Sequence, residues 1–220
     1  NVSTTYGSAV TYNTTAQYLD SNDNAIITLT RTGADNNYTF NDGLGTTVNT
    51  VLKPYNGPSL APVSTSGNTV VGTYDIKDAA PSVTGRNFVG PPIFVGKLNV
   101  TTKEVNPMAI NVSKVYDGTT AINNVLSIDG KVTGDVLSIG GSAAFANKNA
   151  GTGLTYTVSG ISLSGADAAN YHLAGGATEL TGHNGVITPA TLKLTSSDVI
   201  KAYDRTTSAV GQAITTQGTQ

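Results

Sequence analysis

The 220-residue sequence predicts an all-β protein, tandem immunoglobulin-like β-sandwich modules stacked end to end as a rod. Three observations lead to that expectation: apolar residues alternate at period two, no stretch keeps a helical period, and one seven-residue string occurs twice.

The alternation is clearest in Ile27-Thr28-Leu29-Thr30, Tyr74-Asp75-Ile76, Leu98-Asn99-Val100-Thr101, Tyr156-Thr157-Val158 and Leu192-Lys193-Leu194. Successive side chains of a strand point to opposite faces, so each of these segments reads as a strand with one buried face. The best helical candidate, Ala143 to Ala150, is broken by glycine on both sides. The recurring string is Lys114-Val115-Tyr116-Asp117-Gly118-Thr119-Thr120, which returns as Lys201-Ala202-Tyr203-Asp204-Arg205-Thr206-Thr207. The spacing of about 87 residues suits one small domain per repeat.

A subtler alignment joins the two large segments. Gly72-Thr73-Tyr74-Asp75-Ile76, Asn87-Phe88 and Gly96-Lys97-Leu98 follow one another as do Leu154-Thr155-Tyr156-Thr157-Val158, Asn170-Tyr171 and Gly185-Val186-Ile187. The expected parsing is one module over residues 1–105, a second over 106–190, and the start of a further repeat over 191–220. The joints at Lys97 to Val105 and Gly185 to Leu194 contain no Gly/Ser-rich tract, and Pro107 and Pro189 stiffen them.

Composition narrows the function classes. A formal charge of −2 with 12% charged residues leaves no basic face for nucleic acid or an anionic membrane. Thr, Ser and Asn, roughly a third of the chain, suit strands and turns. The sequence contains no Cys, so disulfides, thiolate metal sites and cysteine nucleophiles are excluded. No run of 18 apolar residues is present for a membrane helix.

Four stretches carry a resemblance. Lys114 to Thr120, Phe145-Ala146-Asn147-Lys148-Asn149-Ala150-Gly151-Thr152-Gly153, Gly160 to Tyr171 and Ile187-Thr188-Pro189-Ala190 resemble the YDG repeat of large bacterial surface adhesins. The first segment, with Thr5-Tyr6-Gly7, Val71 to Ile76 and Gly96 to Thr101, is similar to the MBG-type module that neighbours YDG repeats. Arg205 stands where the YDG motif has glycine. The resemblance implies a filamentous-haemagglutinin-like adhesin of a Gram-negative bacterium, exported by two-partner secretion and held at the cell surface or released into a biofilm matrix. It also implies stalk or adhesive modules without enzymatic activity.

The residues themselves agree with a non-enzymatic reading. Tyr116-Asp117-Gly118 could form a sugar-binding corner, but an Asp-Gly turn in which Asp117 accepts local amides and Gly118 takes positive φ accounts for it, and Tyr203-Asp204 repeats the pattern. Asn170-Tyr171 suits a sandwich corner in which a buried Tyr bonds nearby backbone through its hydroxyl. Asp20-Ser21-Asn22-Asp23-Asn24 offers oxygens to Ca²⁺ but lacks the central Gly and distal bidentate Glu, so it reads as a solvated turn. Asp35 and Asp167 are too isolated to imply a metal. His172, on a solvent-facing strand, and His183, in a Gly-rich turn, have no zinc or triad spacing. Asn13, Asn37, Asn99 and Asn111 sit in glycosylation acceptor patterns.

No catalytic, cofactor or metal residue is expected, and the expected partners are polysaccharide, a host or neighbouring cell surface, and neighbouring repeats or copies of the chain. Two alternatives follow from the same residues. In one, the chain is a subunit of a surface fibre, joined by strand pairing of residues 191–220. In the other it is a carbohydrate-binding module, against which the lack of Trp and 6% aromatic content weigh. Residues 191–220 are too few to bury a core and read as a truncated repeat.

Overall fold

The computed structural model describes residues 1–12, 17–19, 25–88, 96–123, 125–196, 199–209 and 213–217. Among these the regular structure is strand, apart from two three-residue 3₁₀ turns, Ala168–Asn170 and Ala174–Gly176. The all-β expectation holds, and the sheets curl. The Asp20 to Asn24 loop and Asn13 lie outside the described residues.

Two compact units interleave along the sequence. The first takes Asn1–Met108, Ile128–Gly140 and Ser162–Ala177; the second takes Ala109–Ser127, Gly141–Ile161 and Thr178–Gln220. Each therefore draws on several stretches, and the first combines residues from both of the large segments defined by the sequence alignment.

In the first unit one sheet runs in the order Val2–Thr5, Lys97–Thr101, Gly72–Asp78, Thr47–Asn56, Asn37–Asn41, Thr30–Ala34. Partners change along Thr47–Asn56: Thr47 to Val51 pair with Asn37–Asn41 and Thr47 to Asn49 also with Ser82–Thr84, whereas Leu52 to Tyr55 pair with Gly72–Asp78. Thr30–Ala34 and Asn37–Asn41 are joined by Asp35-Asn36, both at positive φ (52° and 64°), the two-residue turn whose twist matches the strands it connects. Asp35 is thus a turn residue. On these strands the alternation read in the sequence is realised: Leu98 and Val100 are buried while Lys97, Asn99 and Thr101 are exposed, and Tyr74 and Ile76 are buried on the neighbouring strand. These side chains join Tyr6, Tyr38, Phe40, Val48, Leu52, Val105, Leu137 and Tyr171 in one core.

A five-stranded sheet runs in the order Ser113–Val115, Glu179–Thr188, Gly151–Ser164, Ser138–Phe145, Ala121–Ile122. Buried Phe145, Tyr156, Val158 and Ile187 project from it. Both sheets share one edge arrangement. A short strand lies parallel to the last strand of its segment, Val2–Thr5 on Lys97–Thr101 and Ser113–Val115 on Glu179–Thr188, and the last strand is antiparallel to the long strand before it.

His183 lies within the strand Glu179–Thr188, which corrects the turn expected from Thr181-Gly182-His183-Asn184-Gly185. The glycines are spacers. A Cβ at Gly182 would sit 2.3 Å from the Tyr156 ring and one at Gly185 would sit 2.3 Å from the Phe145 ring, so bare backbone is what lets these aromatic rings lie across the sheet. Neither glycine has positive φ, so the requirement is space. Gly182→Val should therefore destabilise by about 2 kcal/mol through overpacking, read as a lower urea midpoint with unchanged slope.

Two smaller sheets complete the strand pairing relevant to the repeat. Lys103–Ala109 lies between Leu126–Asp129 and Tyr171–Leu173, pairing in parallel with the latter from Lys103 to Val105. Pro107 falls beyond that register, where its missing N–H breaks no bond of the parallel ladder. Leu192–Ser196 pairs antiparallel with Ala213–Gln217, but Leu192 and Leu194 are 65% and 63% exposed, which corrects the buried face expected of this strand: among the described residues no apolar layer covers it.

Candidate functional site

The recurring string builds the same lysine-centred turn twice. After the strand Ser113–Val115 the chain turns at Tyr116, and Asp117 Oδ1 accepts the Thr119 N–H (2.8 Å) and the Thr119 hydroxyl (2.8 Å) while Gly118 takes φ +80°. The Lys114 ammonium reaches back over the turn to Asp117 Oδ1 at 2.6 Å, the Thr119 hydroxyl at 2.9 Å, and the carbonyls of Thr119 (3.2 Å) and Ala121 (2.9 Å). A tetrahedral ammonium has three donors, and here they share oxygens that converge from one loop. The second copy repeats this atom for atom. Lys201 Nζ meets Asp204 Oδ1 at 2.7 Å, the Thr206 hydroxyl, and the carbonyls of Thr206 (3.0 Å) and Ser208 (2.6 Å), and the Thr206 N–H donates to Asp204 Oδ1 at 2.9 Å.

The Lys114 bond, then those from Thr119, hold the Asp117 carboxyl down to about 2; Lys201 likewise lowers Asp204. Asp117, Gly118 and Asp204 thus act inside their own turns, and the carboxylates are committed to lysine. Sequence reading placed the Asp-Gly turn but overlooked the lysine, although Lys114 and Lys201 head both strings.

Arg205 tests the turn's tolerance. It adopts φ +61° where the first copy has Gly118, a conformation unfavourable to a residue with a Cβ. Arg205→Gly should stabilise the second turn by about 1 kcal/mol, measured as slower hydrogen exchange at the Thr206 amide.

A second polar cluster is buried in the first unit and involves Asn170 and Tyr171. Tyr171 is 6% exposed, and its hydroxyl accepts the Val132 N–H at 3.0 Å and donates to Asp135 Oδ2. Tyr6, fully buried, packs edge-on against the Tyr171 ring with centroids 5.3 Å apart and donates its hydroxyl to the same oxygen at 2.6 Å. The Ser66 N–H approaches Asp135 Oδ1 at 3.3 Å. Beside this group, Asp167 accepts the Thr65 N–H (3.2 Å), the Thr65 hydroxyl and the Val136 N–H (2.8 Å), and Asn170 Oδ1 accepts the Val71 N–H at 3.0 Å. Three side chains from the 3₁₀ region and the strand after it, with Asp135, thereby satisfy backbone donors of residues 65, 66, 71, 132 and 136. Residues 63–65, 70 and 71 and residues 166, 167, 169 and 170 line an open depression beside them.

Burial alone would push the Asp135 carboxyl up, but hydrogen bonds from Ser66, Tyr171 and Tyr6 outweigh it and the carboxyl lies below its usual range. Bonds from Thr65 and Val136 lower Asp167. Burial, then the bond to Asp135, raises both Tyr6 and Tyr171. A lowered carboxyl contributes stability that is full above its unfolded value and lost as pH falls through the folded one. A raised phenol contributes stability that is present below its unfolded value and lost as pH rises through the folded one. Stability should therefore fall below about pH 4 and again above about pH 10, and Asp135→Asn should flatten the acid limb in a series of thermal melts.

Tyr171 is buried, as the sequence reading expected, but its hydroxyl bonds the Val132 amide 39 residues away and the Asp135 carboxylate rather than backbone close by in the chain. Asp167, set aside for want of metal-ligating neighbours, is instead an acceptor for backbone and hydroxyl donors, while Asp135 and Tyr6 escaped notice because their partners are remote in sequence. His172 is exposed on Tyr171–Leu173 with Nε2 3.7 Å from Glu104 Oε2, and exposed His183 Nδ1 lies 3.0 Å from the Thr155 hydroxyl. Tyr203 is 90% exposed. Among the described residues no group of three or more His, Asp or Glu could hold a metal ion.

The family model of the YDG domain matches residues 101–179, which carry the Lys114 turn, Asp135, Asp167 and Tyr171. Neither a curated protein nor a solved structure matches the chain. Residues 101–179 are a YDG domain.

Proposed function

We propose that this chain is a non-enzymatic repeat segment of an extracellular bacterial adhesin, part stalk and part attachment surface, exposed on the cell or in a biofilm matrix. In this reading the YDG domain is preceded by an MBG-like module and followed by a further YDG-type repeat, all immunoglobulin-like sandwiches stacked as a rod. The observation that carries it is the duplication of the lysine-centred turn. Two strings about 87 residues apart rebuild the same bonds around Lys114 and Lys201, as expected where selection keeps a structural unit in register along an array. Asp117, Asp135, Asp167 and Asp204, the acids of the two clusters described above, are engaged by lysine, hydroxyl or amide donors, which suits structural turns and fastenings.

Attachment then depends on exposed threonine, asparagine and tyrosine meeting polysaccharide, a neighbouring cell or another copy, with weak contacts multiplied by repetition. Immunogold labelling of intact cells and an attachment assay on a strain lacking this segment test the proposal. Surface or matrix label with reduced attachment is expected; label confined to the cell interior, or undiminished attachment, would overturn it.

A further inference from the structure

The two sheets place a tyrosine at the same point. Tyr6 follows Thr5, which is paired with Thr101, and its N–H donates to the Thr101 carbonyl at 2.9 Å. Tyr116 follows Val115, which is paired with Thr188, and its N–H donates to the Thr188 carbonyl at 2.8 Å. Each tyrosine is therefore anchored to the last residue of its sheet's last strand. The turns diverge only afterwards, with the positive-φ glycine at Gly7 in one and at Gly118 in the other.

Their surroundings differ. Immediately after Thr101 the chain enters Lys103–Ala109, which pairs with Leu126–Asp129 and with the strand that carries Tyr171, and Tyr6 is fully buried against Tyr171 and Asp135. After Thr188 the chain enters Leu192–Ser196, which pairs with Ala213–Gln217 as the start of the same arrangement. Tyr116 is only partly buried, with Val115 beside it 41% exposed.

We infer that Tyr116 is a docking residue for a following YDG repeat, its ring received edge-on by that repeat's equivalent of Tyr171 and its hydroxyl bonded to that repeat's equivalent of Asp135. The tyrosine of the repeated motif is then the plug by which one repeat seats on the next, and the Asp–Tyr pair is the socket. A phenol gives a flat apolar body and one donor at its tip, which suits a socket made of an aromatic edge and a carboxylate. Tyr203, in the next copy of the motif, would serve the repeat after that. This assignment concerns contacts between repeats and stands whatever surface the array attaches to.

The test is a chain extended in phase, residues 1–189 joined to a second copy of residues 103–220, compared with the 220-residue chain. Tyr116→Ala should lower the melting temperature of the extended chain by several degrees and leave that of the 220-residue chain nearly unchanged. Asp135→Asn placed only in the second copy should do the same, and the two changes together should cost less than their sum. Equal effects of Tyr116→Ala in the two chains, or full additivity with the second-copy Asp135→Asn, would overturn the inference. So would an appended repeat that stays unfolded by hydrogen exchange, because seating on Tyr116 is what the inference requires of it.

Discussion

Asp135→Ala should lower the unfolding free energy by about 3 kcal/mol, seen as a large drop in urea midpoint. The carboxylate is 5% exposed and accepts both the Tyr6 and Tyr171 hydroxyls on Oδ2 and the Ser66 N–H near Oδ1. Removing it leaves two buried phenols without their acceptor, and a stranded buried donor costs about 1–3 kcal/mol. The rings hold one another by their edge-to-face contact and will not swing out to water cheaply. Asp135→Asn keeps one acceptor oxygen and should cost roughly half as much. A loss under about 1 kcal/mol for the alanine variant would mean that water replaces the carboxylate, and the cluster would then not be the fastening that its geometry indicates.

How much of this was legible in the sequence depends on the range of the interactions. Period-two alternation placed Leu98, Val100, Tyr74 and Ile76 on a buried face, because the side-chain direction of a strand is a local property. The Asp117-Gly118 turn was legible for the same reason: its bonds span two residues. The partners of Asp135 were not, since they lie 36, 69 and 129 residues away and nothing in a Val132 to Leu137 reading marks an aspartate as an acceptor for distant tyrosines. Alignment of strand signals also misses register. Leu98 faces Tyr74, whereas Ile187 faces Gly151 and Tyr156 faces Gly182, so the aligned strand pairs differ in offset; the irregularity at Leu154 is local, because Gly151 and Thr152 on one side of it and Tyr156 on the other keep one register. Strand order and strand offset are separate properties, and spacing along the sequence reports only the first.

Gly165→Ala should be the most damaging single-methyl substitution in the YDG domain, on the order of 3 kcal/mol, while Gly118→Ala should cost only about 1. Both glycines have positive φ, +110° and +80°, so both pay for a Cβ through the backbone. They differ in space. A Cβ at Gly118 would meet nothing within 4 Å, whereas at Gly165 it would lie 2.5 Å from the Val136 carbonyl oxygen. That carbonyl accepts the Asp167 N–H at 3.1 Å, and the Val136 N–H returns a bond to Asp167 Oδ2 at 2.8 Å. Backbone cannot move aside as a flexible side-chain tip can, so relief must come from separating residues 165–167 from residue 136. That movement draws Asp167 off the Val136 and Thr65 amides together. Hydrogen exchange should then show both amides losing protection in Gly165→Ala and neither in Gly118→Ala. Equal stabilities of the two variants would mean that the approach of Gly165 to Val136 relaxes without breaking the Asp167 bonds, and that φ alone sets the cost.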